Sequence, residues 1–473
     1  MNKFSSLIIR LLCPDPVLFW AYMLPVLYWI YLTLTTNFVL VFDSEGYYGL
    51  AHLFYNGHWV EYFRTGPNRE PLYPLIVAAS MVTGKWLGIS YTYTLKIFSF
   101  GFLIATMMVV QQALKMIKTS RWIVAATILY IGFSPILVNS ALCLYSEIAT
   151  FPWLVAAVLF SIYYLRFLVD AGSKDFIPAI GLSLCLLGFT FVKGIGEGLG
   201  PLFLIWLFWH AWRRCGLKLL PFLRQSKFKI LLPLLIFYAP LLSFKSLNYA
   251  FNGHFNLTNR GDIALGGTLI QRTQSPLTME NFLTHLSTVT VSYGSPCTHF
   301  FSVEKCYYWS KSPDDYFREF KQQFDQQNIS LPPSKRMTIS NSMVGLLMSH
   351  PFRQIFYTLS EGLKMFFWQT SQGAFVVYPV WLEKIFNTPN VVVFMSLVTG
   401  GFCVLGFLTA LALLRNELIL VTVVLTGLLI LLYSLDNIIH RYAIGAAPLI
   451  VLLNASCLSV LAAKLKMRFK QRN

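Results

Sequence analysis

The chain has 473 residues, of which 56% are hydrophobic and 12% charged, with a formal charge of +17. A soluble domain carries about 25% charged residues, so the deficit excludes a water-soluble globule and points to a membrane protein, as does a mean hydropathy of +0.59. The positive excess sits in short loops between apolar runs, which makes it a topology signal and argues against a nucleic-acid partner.

A membrane-crossing helix needs roughly 20 apolar residues for a hydrocarbon core of about 30 Å. In chain order such runs cover Val17–Phe42, Tyr91–Leu114, Trp122–Asn139, Glu147–Leu168, Phe176–Val192, Glu197–Trp212, Ile230–Ala250, Val391–Leu414, Leu418–Leu435 and Ala443–Ala463. Pro71–Thr83 and Ile355–Gln369 could be re-entrant or further spans, for a total of about 10–12. Backbone groups in lipid must be bonded internally, so the expected fold is an all-α polytopic bundle. The N-terminal apolar run is too long for a signal peptide and no A-x-A cleavage site follows it, so it reads as a retained anchor.

Starting Lys3 and Arg10 in the cytoplasm and alternating places Lys115, Lys118, Arg121, Arg166 and Lys174 inside. Arg213, Arg214, Lys218, Arg224, Lys227, Lys229, Arg415 and the tail from Lys464 to Arg472 fall on the same side. A basic inner face of this kind can also touch anionic membrane lipid, at about 1 kcal/mol per residue. Residues 43–90, 140–146, 193–196, 251–390 and 436–442 then lie outside.

The chain divides into an N-terminal transmembrane module (1–250) with its outer loop (43–90), an outer-side segment (251–390), and closing spans with a basic tail (391–473). Juxtamembrane helices are expected in the first loop. In the outer segment, a small extramembrane body, Asn252-Gly253, Gly266-Gly267 and Ser312-Pro313 mark turns. Asp314–Gln327 reads as a charged amphipathic helix ended by Pro332-Pro333, and His350-Pro351 opens an aromatic-rich helix suited to an interface. Of eight cysteines, Cys297 and Cys306 share this segment, either as a disulfide or as two thiols.

The chemistry-bearing residues cluster at span ends on the outer side. Asp43-Ser44-Glu45-Gly46-Tyr47-Tyr48 follows the first span, and Arg69-Glu70-Pro71-Leu72-Tyr73-Pro74 comes later in the same loop. A carboxylate at a water–lipid boundary suits a general base, although polar punctuation after a span would look the same. Asp43 and Glu45 would also admit one divalent cation through their oxygens, but no His or Cys ligand spacing accompanies them. Ser146-Glu147 heads another span, where a helix dipole alone would favour the acid. Lys193 stands at an outer span end, against the positive-inside trend, before a glycine run. That run has no preceding strand and no Gly-Lys-Ser/Thr close, so it suits helix packing better than nucleotide binding. His440-Arg441-Tyr442 opens the last span, which contains Pro448.

These scattered motifs together resemble those of the C-type polytopic membrane glycosyltransferases that use lipid-linked sugars, the aminoarabinose transferase and protein O-mannosyltransferase-like families. The segment Asn248–Gly261 resembles the stretch that leaves the seventh span in that superfamily. His440 replaces the acidic residue that usually precedes the arginine there. The resemblance implies a polyprenyl-phosphate sugar donor, a lipid, glycan or protein acceptor, and inverting transfer on the outer (periplasmic or lumenal) face, with a bacterial inner membrane as the expected location and no cofactor beyond the divalent cation that Asp43 and Glu45 would admit. It implies catalytic roles for Asp43 and Glu147, and substrate binding by Glu45, Tyr48, Arg69, Tyr73, Lys193, His440 and Arg441. A transporter or lipid flippase is the alternative, though no matched halves are visible. A non-catalytic scaffold would leave Asp43, Glu147 and Lys193 without a reason to converge.

Overall fold

The computed structural model describes residues 15–41, 43–170, 172, 175–216, 218–258, 261–288, 296–311, 313–329, 345–366, 376–386, 388–435 and 440–472. Among them the chain is almost wholly helical. Six helices are long and apolar enough to cross a membrane, namely Pro16–Thr35, Tyr91–Met116, Glu147–Val169, Leu219–Asn252, Phe394–Leu411 and Ile444–Phe469. Arg121–Phe133 and Pro135–Leu142, bent by 48°, make a seventh if taken together. Leu72–Leu87, Ile177–Val192 and Glu417–Tyr433 are shorter apolar helices. These are the helices of a multi-pass membrane protein.

Burial sorts them into centre and periphery. The apolar windows of Glu147–Val169 and Ile444–Phe469 are 67% and 78% buried, against 22% and 17% for Pro16–Thr35 and Leu219–Asn252. Trp20, Leu24, Leu27, Ile30 and Leu34 are exposed on the first of these outer helices, a surface suited to lipid. That helix is held by close packing. A Cβ on Gly132 would lie 2.3 Å from the Pro25 side chain, and Trp29 Nε1 donates to Gly132 O at 2.8 Å.

The first span ends at Thr35 and does not run on to Phe42. Thr35 and Thr36 turn their hydroxyls back on Tyr31 O (2.8 Å) and Leu32 O (2.7 Å). Lys96 then caps the end, its Nζ donating to Thr33 O at 3.1 Å and Thr36 O at 2.5 Å. The next residues, Asn37–Phe38, pair antiparallel with Val376–Val377, with Asn37 opposite Val377 and Phe38 opposite Val376.

Charge pairs segregate to the two ends of the bundle. One end holds Arg121–Asp15 (3.6 Å), Arg214–Glu417 (2.5 Å) and Arg166–Glu417 (3.8 Å), with Lys229 Nζ on Phe167 O (2.7 Å). The other holds Asp43–Arg69, Glu147–Lys193 (2.8 Å) and Glu197–Lys245 (2.8 Å). Charge alternation along the sequence likewise separates Arg121, Arg166, Arg214 and Lys229 from Asp43, Arg69 and Lys193.

The described residues between 251 and 390 are fastened to the Asp43 end. A helix forms over Pro313–Ile329, close to the expected Asp314–Gln327, while Pro332-Pro333 lies outside the described residues. Cys297 and Cys306 form a disulfide. Arg272, 2% exposed, donates to Ser434 O (2.8 Å) beyond the Glu417–Tyr433 helix and to Thr358 Oγ1 (3.0 Å). Beside it His285, on Met279–Ser287, meets Ser360 Oγ at 2.8 Å and Glu361 Oε1 at 2.6 Å, and Lys364 Nζ reaches the same carboxylate at 3.3 Å.

Burial, seconded by the charge of Lys364, lowers the pKa of His285 to about 4. Burial by itself would raise that of Glu361, but Lys364 and His285 outweigh it and hold the carboxyl below its usual range. Both shifts mean that the unfolded chain binds more protons, His285 from about pH 6.5 downward and Glu361 from about 4.5. Acidification from pH 7 to 5 should therefore loosen this cluster. Amide hydrogen exchange over Met279–Ser287, corrected for its intrinsic pH dependence, should accelerate, and His285→Gln should flatten the response. Equal protection at the two pH values would contradict this.

Candidate active site

Asp43 sits in the first turn of the helix Asp43–Tyr55, and not in an open loop. Ser44 closes the turn, its Oγ accepting from Val41 N at 2.7 Å. The helical geometry corrects one expectation. Residues at i and i+2 do not face each other on a helix, so Asp43 and Glu45 do not converge on a shared cation, and Glu45 is exposed. Among the described residues no group of three His, Cys, Asp or Glu side chains is placed to hold a metal.

Asp43 instead pairs with Arg69, and their side chains are 16% and 14% exposed. Tyr62 OH donates to Arg69 O at 3.0 Å, fixing the backbone that presents the guanidinium. Arg69 Cζ also lies 5.6 Å from the centre of the Tyr47 ring. The cation is thus held on one side by charge and on the other by an aromatic face.

A second pair forms a short way along. Glu147 begins its helix and is 1% exposed, and its Oε1 accepts from Lys193 Nζ at 2.8 Å. Lys193 can reach it because the helix Ile177–Val192 stops there with extended backbone. The chain then turns through Gly194, whose N–H donates to Glu70 Oε1 at 2.7 Å. A Cβ on Gly194 would come within 2.9 Å of that oxygen, so glycine allows the close approach.

Tyr47 joins the two pairs, its hydroxyl 2.8 Å from Ser146 Oγ, next to Glu147. Burial pushes the phenol pKa up, while Lys193 and Arg69 pull it down. Tyr73, fully buried, meets the Tyr47 ring edge-on at 5.1 Å. Asp43, Arg69, Glu147, Lys193 and Tyr73 are therefore brought together from separate segments. On the next stripe of the Asp43 helix, Tyr48, His52 and Tyr55 line an open pocket of about 240 Å³ with Met81 and Tyr91.

Asn248 and Asn252 tie the segment after the long helix to the same end, through Asn256 O (2.7 Å) and Phe63 O (2.9 Å). The last long helix begins at His440, but the side chains of His440 and Arg441 lie outside the described residues. Glu70 stands between Arg69 and Pro71 in the same motif, and only its bond to Gly194 N–H reveals its place in the site.

Comparison with protein-family models, curated proteins and solved structures gave no match.

The arrangement offers two carboxylates and two cations at one end of an apolar bundle, each cation already engaged by an acid. An entering anion must compete with Asp43 for Arg69 and with Glu147 for Lys193.

Proposed function

We propose that the protein is an integral-membrane glycosyltransferase of a bacterial inner membrane. It moves a sugar from a polyprenyl-phosphate donor to a lipid, glycan or protein acceptor on the outer face. The observation that carries this reading is the convergence of the Asp43–Arg69 and Glu147–Lys193 pairs around Tyr47. The donor reaches such a site through the bilayer, so no nucleotide-sugar domain is needed.

In the proposed reaction Asp43 removes the acceptor hydroxyl proton as the acceptor oxygen attacks the anomeric carbon. The carbon–oxygen bond to phosphate breaks from the opposite side, giving inversion. Phosphate departs as a stable anion, so the step requires cations and no general acid. Arg69 and Lys193 supply the charge, with Arg441 and His440 added by the family resemblance. Donor phosphate draws Arg69 from Asp43, so binding itself frees the base. Glu147 keeps Lys193 in place, Tyr73 supports Tyr47, and the pocket at Tyr48 receives the acceptor ring. Glu45, exposed on the far side of its helix, contributes to acceptor binding only.

The reading requires the Asp43 end to face outward. Cysteine placed at Asn56 should react with an impermeant maleimide on intact cells, and cysteine at Gln225 only after lysis, both above the parent background. Labelling of Gln225→Cys from outside would reverse the orientation.

One observation favours a transporter or flippase, the bent pair Arg121–Phe133 and Pro135–Leu142, since broken helices are common in carriers. It is the single such pair among the described residues, with no counterpart in a second half. Purified protein in vesicles separates the two readings. Movement of lipid across the bilayer without transfer to any of a broad acceptor set would favour carriage.

A further inference from the structure

The helix Pro351–Lys364 has its polarity reversed. Its inward stripe is Gln354, Tyr357, Ser360, Glu361 and Lys364, all buried. Its outward stripe is Phe352, Ile355, Leu359 and Leu363, which are 79%, 59%, 64% and 40% exposed. A helix on a water-borne domain does the opposite.

The inward side is hydrogen-bonded to the protein, although Gln354 Oε1 has no partner. Gln354 Nε2 donates to Leu269 O (3.1 Å) and Thr273 Oγ1 (3.0 Å), and Tyr357 OH donates to Pro276 O (2.9 Å). Ser360, Glu361 and Lys364 belong to the His285 cluster. These bonds fix the rotation of the helix, so the apolar stripe cannot turn inward without breaking them. Left in water, each large apolar side chain would forgo the favourable free energy of burial.

The stripe also continues onto a neighbour. Phe282 packs on Phe356 with ring centroids 4.9 Å apart, and Met279 and Leu283 on the same short helix are 70% and 44% exposed. At Gly362 the helix lies close against the Glu417–Tyr433 helix, where an added Cβ would sit 3.4 Å from Ile430 Cγ2. That apolar helix exposes Leu431 (52%) at the same level, and Leu435 just beyond its end is 45% exposed. The outward face is therefore continuous with the lipid-facing side of an apolar helix.

We propose that the Phe352–Leu363 stripe is immersed in the acyl-chain layer of the leaflet at the Asp43 end, with the helix lying along the bilayer plane. The outer segment is then bound to the membrane surface, and its charged His285 cluster is the seal between that helix and the protein. Reversed polarity at a membrane edge is what an interfacial helix requires. The proposal rests on the chain being a membrane protein and is independent of sugar transfer.

The test uses the full chain in phosphatidylcholine–phosphatidylglycerol vesicles, carrying one nitroxide at a time on Ile355→Cys, Leu359→Cys or Lys305→Cys. Lys305 serves as a water-exposed reference, its side chain being 46% exposed. Collision rates with oxygen and with a water-soluble nickel chelate are compared after subtracting the parent signal. At 355 and 359 oxygen should exceed nickel by several-fold relative to position 305. Nickel reaching them as freely as 305 would place the face in water and overturn the proposal. Exclusion of both reagents would mean that protein, a second copy included, covers the face, and would overturn it equally. Phe352→Cys lies on the same stripe and replaces either label site if that variant misfolds.

Discussion

Asp43→Asn should eliminate sugar transfer, lowering the rate by about 10² to 10⁴, the usual cost of losing a positioned base. The amide is nearly isosteric and still accepts a hydrogen bond from Arg69, so the local fold should persist. It cannot take the acceptor proton. Donor binding should survive and tighten, because Arg69 no longer has a carboxylate competing with the phosphate. The measurement is transfer from a purified polyprenyl-phosphate sugar in detergent, beside donor binding by the same variant. Transfer at the parent rate would remove Asp43 from the mechanism. Arg69→Ala should abolish transfer as well, with Arg69→Lys only a partial rescue, since a point charge replaces a planar fork.

Lys193→Met should destabilise the protein by about 3–5 kcal/mol, because it leaves a buried carboxylate without its cation. Glu147 is 1% exposed and receives the Lys193 ammonium at 2.8 Å, so the charge cannot be returned to water without moving the helix end. Adding Glu147→Gln to Lys193→Met should restore much of the lost stability by removing the stranded charge. It should not restore transfer, because the phosphate-stabilising cation is still missing. Thermal or detergent denaturation, followed beside activity, separates the two effects. An unchanged stability in Lys193→Met would show that the pair carries no load in the fold, and a fully active double variant would take both residues out of the site.

The apolar helices were legible because lipid imposes a coarse rule on composition, but among the described residues six of them, or seven with the bent pair, are long and apolar enough to cross, against the about 10–12 spans expected. The end of the first span was not legible, since it depends on Lys96 reaching back to carbonyls at Thr33 and Thr36. The candidate site residues were readable as unusual charges at span ends, but their partners were hidden. Asp43 and Arg69 are 26 positions apart, and Glu147 and Lys193 are 46 apart, so no local pattern links them. Juxtamembrane helices are expected in the first loop, but a short polar stretch after a span carries little helical periodicity, so the sequence does not show that one of them starts at Asp43. The Arg272, His285, Glu361 and Lys364 cluster was likewise unreadable. Each of its members is unremarkable in its own stretch, and only folding brings them together. The sequence suggested an interfacial role for the helix after His350, but which face turns outward depends on bonds to Leu269, Thr273 and Pro276.

The antiparallel pairing of Asn37–Phe38 with Val376–Val377 bears on the order of assembly. Chains are made from the N-terminus, and domains settle as they emerge. Both charge pairs of the candidate site lie within the first 193 residues, so they can close while the rest is still being translated. The pairing at the root of the Asp43 loop must wait until Val377 has left the ribosome. A nascent chain stopped before that point would hold the four charged residues of the site, yet the strand leading into them would still lack its partner.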